Sequence, residues 1–125
     1  MKNKPETVGI IVDADQNLDA RWGELARLFL KLGYELPKKP NENGTIIHLS
    51  NQATIGIWIM PNNQIAGMLE DFIRFLVPTD DNLLAKAEVV LNELQEAELG
   101  KFKSIHRSKA LIHTWLAWQE DSGTP

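Results

Sequence analysis

Asp13 and Asp15 stand one residue apart at the end of an apolar run, in "GIIVDADQN" at residues 9–17. Two carboxylates at such a place suit a hard divalent cation. Mg²⁺ prefers oxygen donors, usually one or two carboxylates with water and substrate phosphate completing its shell. Two such ions clamp an in-line phosphoryl displacement. A second acidic pair, Glu70 and Asp71, follows a second apolar run in "TIGIWIMPNNQIAGMLED". If the two runs are neighbouring strands, all four acids converge at one rim of a sheet, where open α/β sheets bind ligands. Mg²⁺, with Mn²⁺ as its surrogate, is the cofactor this arrangement implies. Further along, His106, Lys109 and His113 fall at i, i+3 and i+7 and share one helical stripe. There Lys109 and His113 would stabilise charge and deliver a proton, or the stripe would serve as a cationic rail for phosphates.

Each group also has a plainer role. Asp13 and Asp15 can form a polar turn that accepts backbone N–H bonds. Glu70 and Asp71, in the first turn of a helix, can complement its dipole, an effect worth ~0.3–1 kcal/mol. Asp80 and Asp81 suit helix capping. The His106–His113 stripe can be a solvated face opposite Ile105, Ile112 and Leu116. Trp115 and Trp118 suit core or interface, and Trp22 and Trp58 suit the core.

The elements that must position these residues follow from hydrophobic pattern. "TVGIIVDAD" is a continuous, β-branched-rich run and predicts a strand buried on both faces. Asn17 can cap a helix starting at Leu18, whose apolar positions are Leu18, Trp22, Leu25, Ala26, Phe29 and Leu32, with Gly33 as its stop. "PKKPNENG" is a loop, and "TIIHL" and "TIGIWIM" are strands that could form a hairpin. "GMLEDFIRFLV" predicts a helix with Leu69, Phe72, Ile73 and Leu76 inward, stopped by Pro78. Thr79 or Asp80 can cap the next helix, which faces inward through Leu83, Leu84, Ala87, Val90, Leu91 and Leu94. Ser104 can cap a last helix over 105–119. The order β-α-β-β-α-α-α predicts an α/β fold: a small central, partly parallel sheet with flanking helices, in a single domain over residues 1–125.

Composition bounds the function. With 125 residues, 43% hydrophobic and 24% charged, the chain can bury a core. A net charge of -4 excludes nucleic-acid binding by bulk positive charge. The charge is uneven: residues 70–98 carry eight acids against Arg74 and Lys86, while residues 101–119 carry Lys101, Lys103, Arg107 and Lys109 with no acid. An anionic ligand would be drawn to that second segment. Without cysteine there is no disulfide and no thiolate metal site. The absence of an apolar leader or spanning segment predicts a cytoplasmic protein with no membrane partner.

"VGIIVDAD", "IGIWIMPNNQIAGMLEDFIRFLV" and "KALIHTWLAWQEDSGTP" together resemble an uncharacterised, TOPRIM-related family of bacterial proteins, distantly similar to OLD-type nuclease domains. The resemblance covers nearly the whole chain. It implies a TOPRIM-like fold and Mg²⁺-dependent, nuclease-like phosphoryl transfer on nucleic acid or another phosphate-bearing ligand. Asp13 and Asp15 match the family's Asp-x-Asp pair, and Glu70 resembles its later acid. The family's earlier strand, ending in a glutamate, has no counterpart before Thr7, and the chain end looks early for the family. A domain lacking its first βα unit and its C-terminal end is the expectation. Two other functions compete. One is a non-catalytic binding or assembly module, pairing as a homo-oligomer through tryptophan surface. The other is a haloacid-dehalogenase-like phosphatase with Asp13 as nucleophile and Asp80 and Asp81 as its later acids.

Overall fold

The structure is a computed structural model that describes residues 6–125. It is mixed α/β, with a three-stranded mixed sheet and four helices, and divides into two compact units, Met1–Leu69 and Glu70–Pro125.

The first unit holds the sheet. Strand β1 (Thr7–Asp13) pairs in parallel with β3 (Thr54–Met60), in the register Thr7↔Thr54 to Asp13↔Met60. The short β2 (Thr45–Ile47) pairs with β3 antiparallel, so β3 is the middle strand. The β1–β3 connection contains α1 (Leu18–Lys31), as a parallel pair requires a crossover. Asn17 caps α1 by accepting the Ala20 N–H at 3.0 Å, and Gly33 follows in the left-handed region at φ 88°. Trp22, Leu25 and Phe29 of α1 pack with Ile55, Ile57 and Ile59 of β3, joined by Val8, Ile10 and Val12 of β1. Two polar anchors close this core: the Trp22 indole donates to the Pro37 carbonyl at 2.8 Å, and the Tyr34 hydroxyl donates to that of Ala53 at 2.7 Å.

The expectation that β1 is buried on both faces does not hold. Its burial alternates, and Thr7, Gly9 and Ile11 are exposed, Ile11 at 68%. The pairing register puts Gly56 and Trp58 of β3 and Ile46 of β2 on the same face, and Ile46 is 66% exposed. One layer of helix covers one face of the sheet, so an apolar run need not mean two buried faces. Trp58, expected in the core, is only half-buried on this outer side.

The second unit is helical: α2 (Leu69–Leu76, its first residue in the sheet unit), α3 (Asn82–Glu96), a 3-10 turn (Ser104–His106) and α4 (Arg107–Ala117). Its core joins Ala87 and Leu91 of α3 with Leu111 of α4, and Leu84, Phe102 and Ala110 pack around them. Leu83, predicted inward, is 42% exposed. In α2, Phe72 and Ile73 are half-buried, whereas Leu69 and Leu76, at the ends of a two-turn helix, are exposed. Ser104 opens the 3-10 turn and makes no cap hydrogen bond for α4. Of the capping candidates Thr79, Asp80 and Asp81, the cap of α3 falls on Asp81. Asp81 Oδ1 accepts the Leu84 N–H at 2.7 Å and the Trp115 indole N–H at 3.2 Å. Asp81→Ala is therefore expected to cost about 1–2 kcal/mol, read as a lowered urea midpoint, with Asp81→Asn recovering most of it.

Candidate functional site at the carboxyl end of the parallel strands

The chain leaves β1 through a turn fastened by both backbone and side-chain bonds. Ala14 N–H donates to the Met60 carbonyl at 3.0 Å, and Asp15 and Gly67 exchange two bonds, at 2.6 and 2.7 Å. Asp15 sits in the left-handed region at φ 56°, a conformation its short polar side chain tolerates. Asp13 is half-buried and its Oδ1 accepts the Leu69 N–H at 2.9 Å, across 56 residues of sequence. The acidic stretch thus ties the end of β1 to the loop that follows β3.

Arg21, from the first turns of α1, lies across both aspartates. Its Nε donates to the Asp13 backbone carbonyl at 2.9 Å, and its Nη2 meets Asp15 Oδ2 at 2.6 Å. Nη1 reaches Glu24 Oε2 at 3.1 Å. The Arg21 and Asp15 side chains are 33% and 52% exposed, so solvent screens the pair and its net value is at most about 1 kcal/mol. Asp13, Asp15 and Arg21 line a cavity of about 420 Å³ with Ile11, Val12, Met60 and Leu69. Sequence reasoning missed Arg21. The signal was present: it lies one turn beyond the Asn17 cap, on a helix that packs back along the strand.

Asn63 was also missed. It is 2% exposed in the left-handed region at φ 65°. Its Oδ1 accepts the Ile59 N–H at 2.7 Å and its Nδ2 donates to the Glu42 carbonyl at 3.3 Å. It borders a wider hollow of about 630 Å³, lined also by Asp19, Lys39 and Glu42.

The other predicted site residues belong to the helical unit. Glu70 and Asp71 occupy the first turn of α2, as expected. Glu70 Oε1 lies 3.8 Å from His113 Nε2, an ion pair when that imidazole is protonated. Asp71 accepts the Ser108 hydroxyl of α4. Lys109 is exposed and makes no ion pair among the described residues. Among those residues, no group of three or more His, Asp or Glu side chains is arranged to hold a metal. The carboxylates at the end of β1 suit a hard cation in kind. As arranged, Asp15 Oδ2 is taken by a guanidinium and Asp13 Oδ1 by an amide.

Residues 1–125 match a family model described as "Protein of unknown function (DUF3226)". The chain belongs to that family. No curated protein and no solved structure matches this DUF3226 chain. Among its described residues, no helix is long and apolar enough to cross a membrane.

Proposed function

We propose that this DUF3226 chain is a non-catalytic binding module, in which Asp13 and Asp15 hold the sheet unit together. The observation that carries the reading is Arg21: its guanidinium takes Asp15 Oδ2 and the Asp13 carbonyl, while Asp13 Oδ1 is spent on Leu69. An acid that anchors a loop in this way is engaged without any ligand. Asp81, engaged as a helix cap and as the acceptor for Trp115, is likewise explained by folding.

One observation favours a second reading, a TOPRIM-like domain with Mg²⁺-dependent phosphoryl transfer on nucleic acid. Asp13 and Asp15 border a cavity beyond the carboxyl ends of two parallel strands, where sheets of this class take ligands. In that reading Asp13 and Asp15 would hold the ion once Arg21 moved aside. Thermal unfolding with increasing Mg²⁺ or Mn²⁺ separates the two. A binding module is expected to show no shift at millimolar metal. A site saturated a hundredfold above its Kd would add about 2.7 kcal/mol. A rise of several degrees that Asp13→Asn abolishes would overturn the first reading.

A further inference from the structure

The sheet has two edges, because β3 lies between β1 and β2. Strand β2 has three residues and offers little to a further strand. Strand β1 has seven, and from Thr7 to Val12 it carries no charge, no proline and no bulge, the usual guards of an exposed edge. Which of its backbone groups are free follows from the two ends of its ladder. The Thr54 N–H donates to the Glu6 carbonyl at 2.9 Å, and the Ala14 N–H donates to the Met60 carbonyl at 3.0 Å. In a parallel ladder, alternate residues of a strand turn both backbone groups to the same neighbour. The even-numbered residues from Glu6 to Ala14 therefore face β3, and Thr7, Gly9, Ile11 and Asp13 face the open edge. The Asp13 carbonyl is already taken by Arg21 Nε at 2.9 Å. Thr7, Gly9 and Ile11 are exposed, and no described residue bonds their N–H or carbonyl groups.

We propose that β1 pairs antiparallel with β1 of a second copy of the chain, across a two-fold axis at Gly9. Thr7 then meets the partner's Ile11 and Gly9 meets the partner's Gly9, and each such pair exchanges both of its bonds. Every free donor and acceptor of the run is satisfied, and the Asp13 carbonyl is not needed. Two-fold registers at Ile10 or Ile11 would set Asp13 opposite the partner's Thr7 or the partner's Gly9 and require that carbonyl. A second copy fits because the run is its own complement, its donors and acceptors repeating identically in both directions about Gly9. The side chains agree with this register. On the outer face, β-branched Thr7 stands opposite the partner's Ile11. On the inner face, Val8 meets the partner's Ile10, and both positions are only half-buried within one copy. No charged side chain lies in the run, so like charges are not brought face to face. A contact through residues 7–11 is far smaller than the about 20–30 residues a side of a standard interface, so the dimer is weak and concentration-dependent. The inference rests on the binding-module reading in one respect, that Arg21 stays on Asp13, and it names what the module binds.

The test is light scattering of the full chain as it elutes from a size-exclusion column, loaded at micromolar to millimolar concentration. The average mass is expected to rise with loading from the 14.1 kDa of one chain toward twice that value. Gly9→Pro removes the central donor, spares the ladder to β3 and suits an edge strand, so it should stay monomeric with an unchanged circular dichroism spectrum. Gly9→Lys and Gly9→Glu each set like charges opposite one another at the axis and should each weaken the dimer about fivefold. A Cβ at Gly9 meets no atom within 4 Å, so both variants should fold. An equimolar mixture of the two should pair at least as tightly as wild type. A mixture that pairs no more tightly than either variant alone would overturn the axis at Gly9, and so would a folded Gly9→Pro chain as dimeric as wild type. Wild type that is monomeric at every concentration, or that grows past the dimer, would overturn the inference outright, and the metal titration would then judge the module reading separately.

Discussion

Trp22→Ala is expected to destabilise the sheet unit by about 3–5 kcal/mol, as truncation of a large buried aromatic generally does. Trp22 is 3% exposed and lies among Leu25, Phe29 and the β3 isoleucines, so there is little room for the surroundings to collapse into the space left. A second loss adds to the first. The indole N–H satisfies the Pro37 carbonyl and ties the loop after α1 to the helix. Trp22→Phe keeps most of the apolar contact and orphans that carbonyl, so it should cost about 1–3 kcal/mol. Urea unfolding followed by far-ultraviolet circular dichroism measures both. A cost below 1 kcal/mol for the alanine variant would mean that α1 does not pack on the sheet through this residue.

Asn63→Ala carries the next largest expectation, about 2–5 kcal/mol. Two causes add. The buried Ile59 N–H loses its acceptor, at about 1–3 kcal/mol. A residue with a Cβ and no local polar bond must then hold φ 65°, at about 1–2 kcal/mol. Asn63→Gly removes the hydrogen bonds and relieves the backbone, so the difference between the two variants isolates the conformational part. Equal unfolding midpoints for the alanine and glycine variants would contradict the strain and leave the hydrogen bond as the whole effect.

Features set by neighbours in sequence were legible. The Asn17 cap, the Gly33 stop and the apolar face of α1 all depend on residues within a few positions of one another, and all are present except that Leu32, predicted on that face, lies at the C-cap beyond the last turn and is 63% exposed. Where three capping residues stand together at 79–81, local preference could not choose, and the Leu84 N–H selects Asp81. The continuous apolar run in β1 promised cover on both faces, because hydrophobicity counts residues and not layers. The candidate site was legible as a place and opaque as chemistry. Asp13 and Asp15 do lie at the end of β1, and Glu70 and Asp71 do open a helix. What each carboxylate does is set by Arg21, Leu69, His113 and Ser108, and three of those partners come from at least 37 residues away, a distance over which no periodicity carries information.

The parallel pairing of β1 with β3 also sets an order of assembly. The register joins Thr7 to Thr54, whereas Thr45 meets Ile57 across a short loop. Loop-closure entropy favours the nearer partner, so the β2–β3 hairpin should form first and β1 dock afterwards. During synthesis, the valine- and isoleucine-rich β1 emerges well before β3, the strand that pairs with it. For that interval its apolar residues and its strand edge lack their β3 partner, the condition under which nascent segments are prone to aggregate.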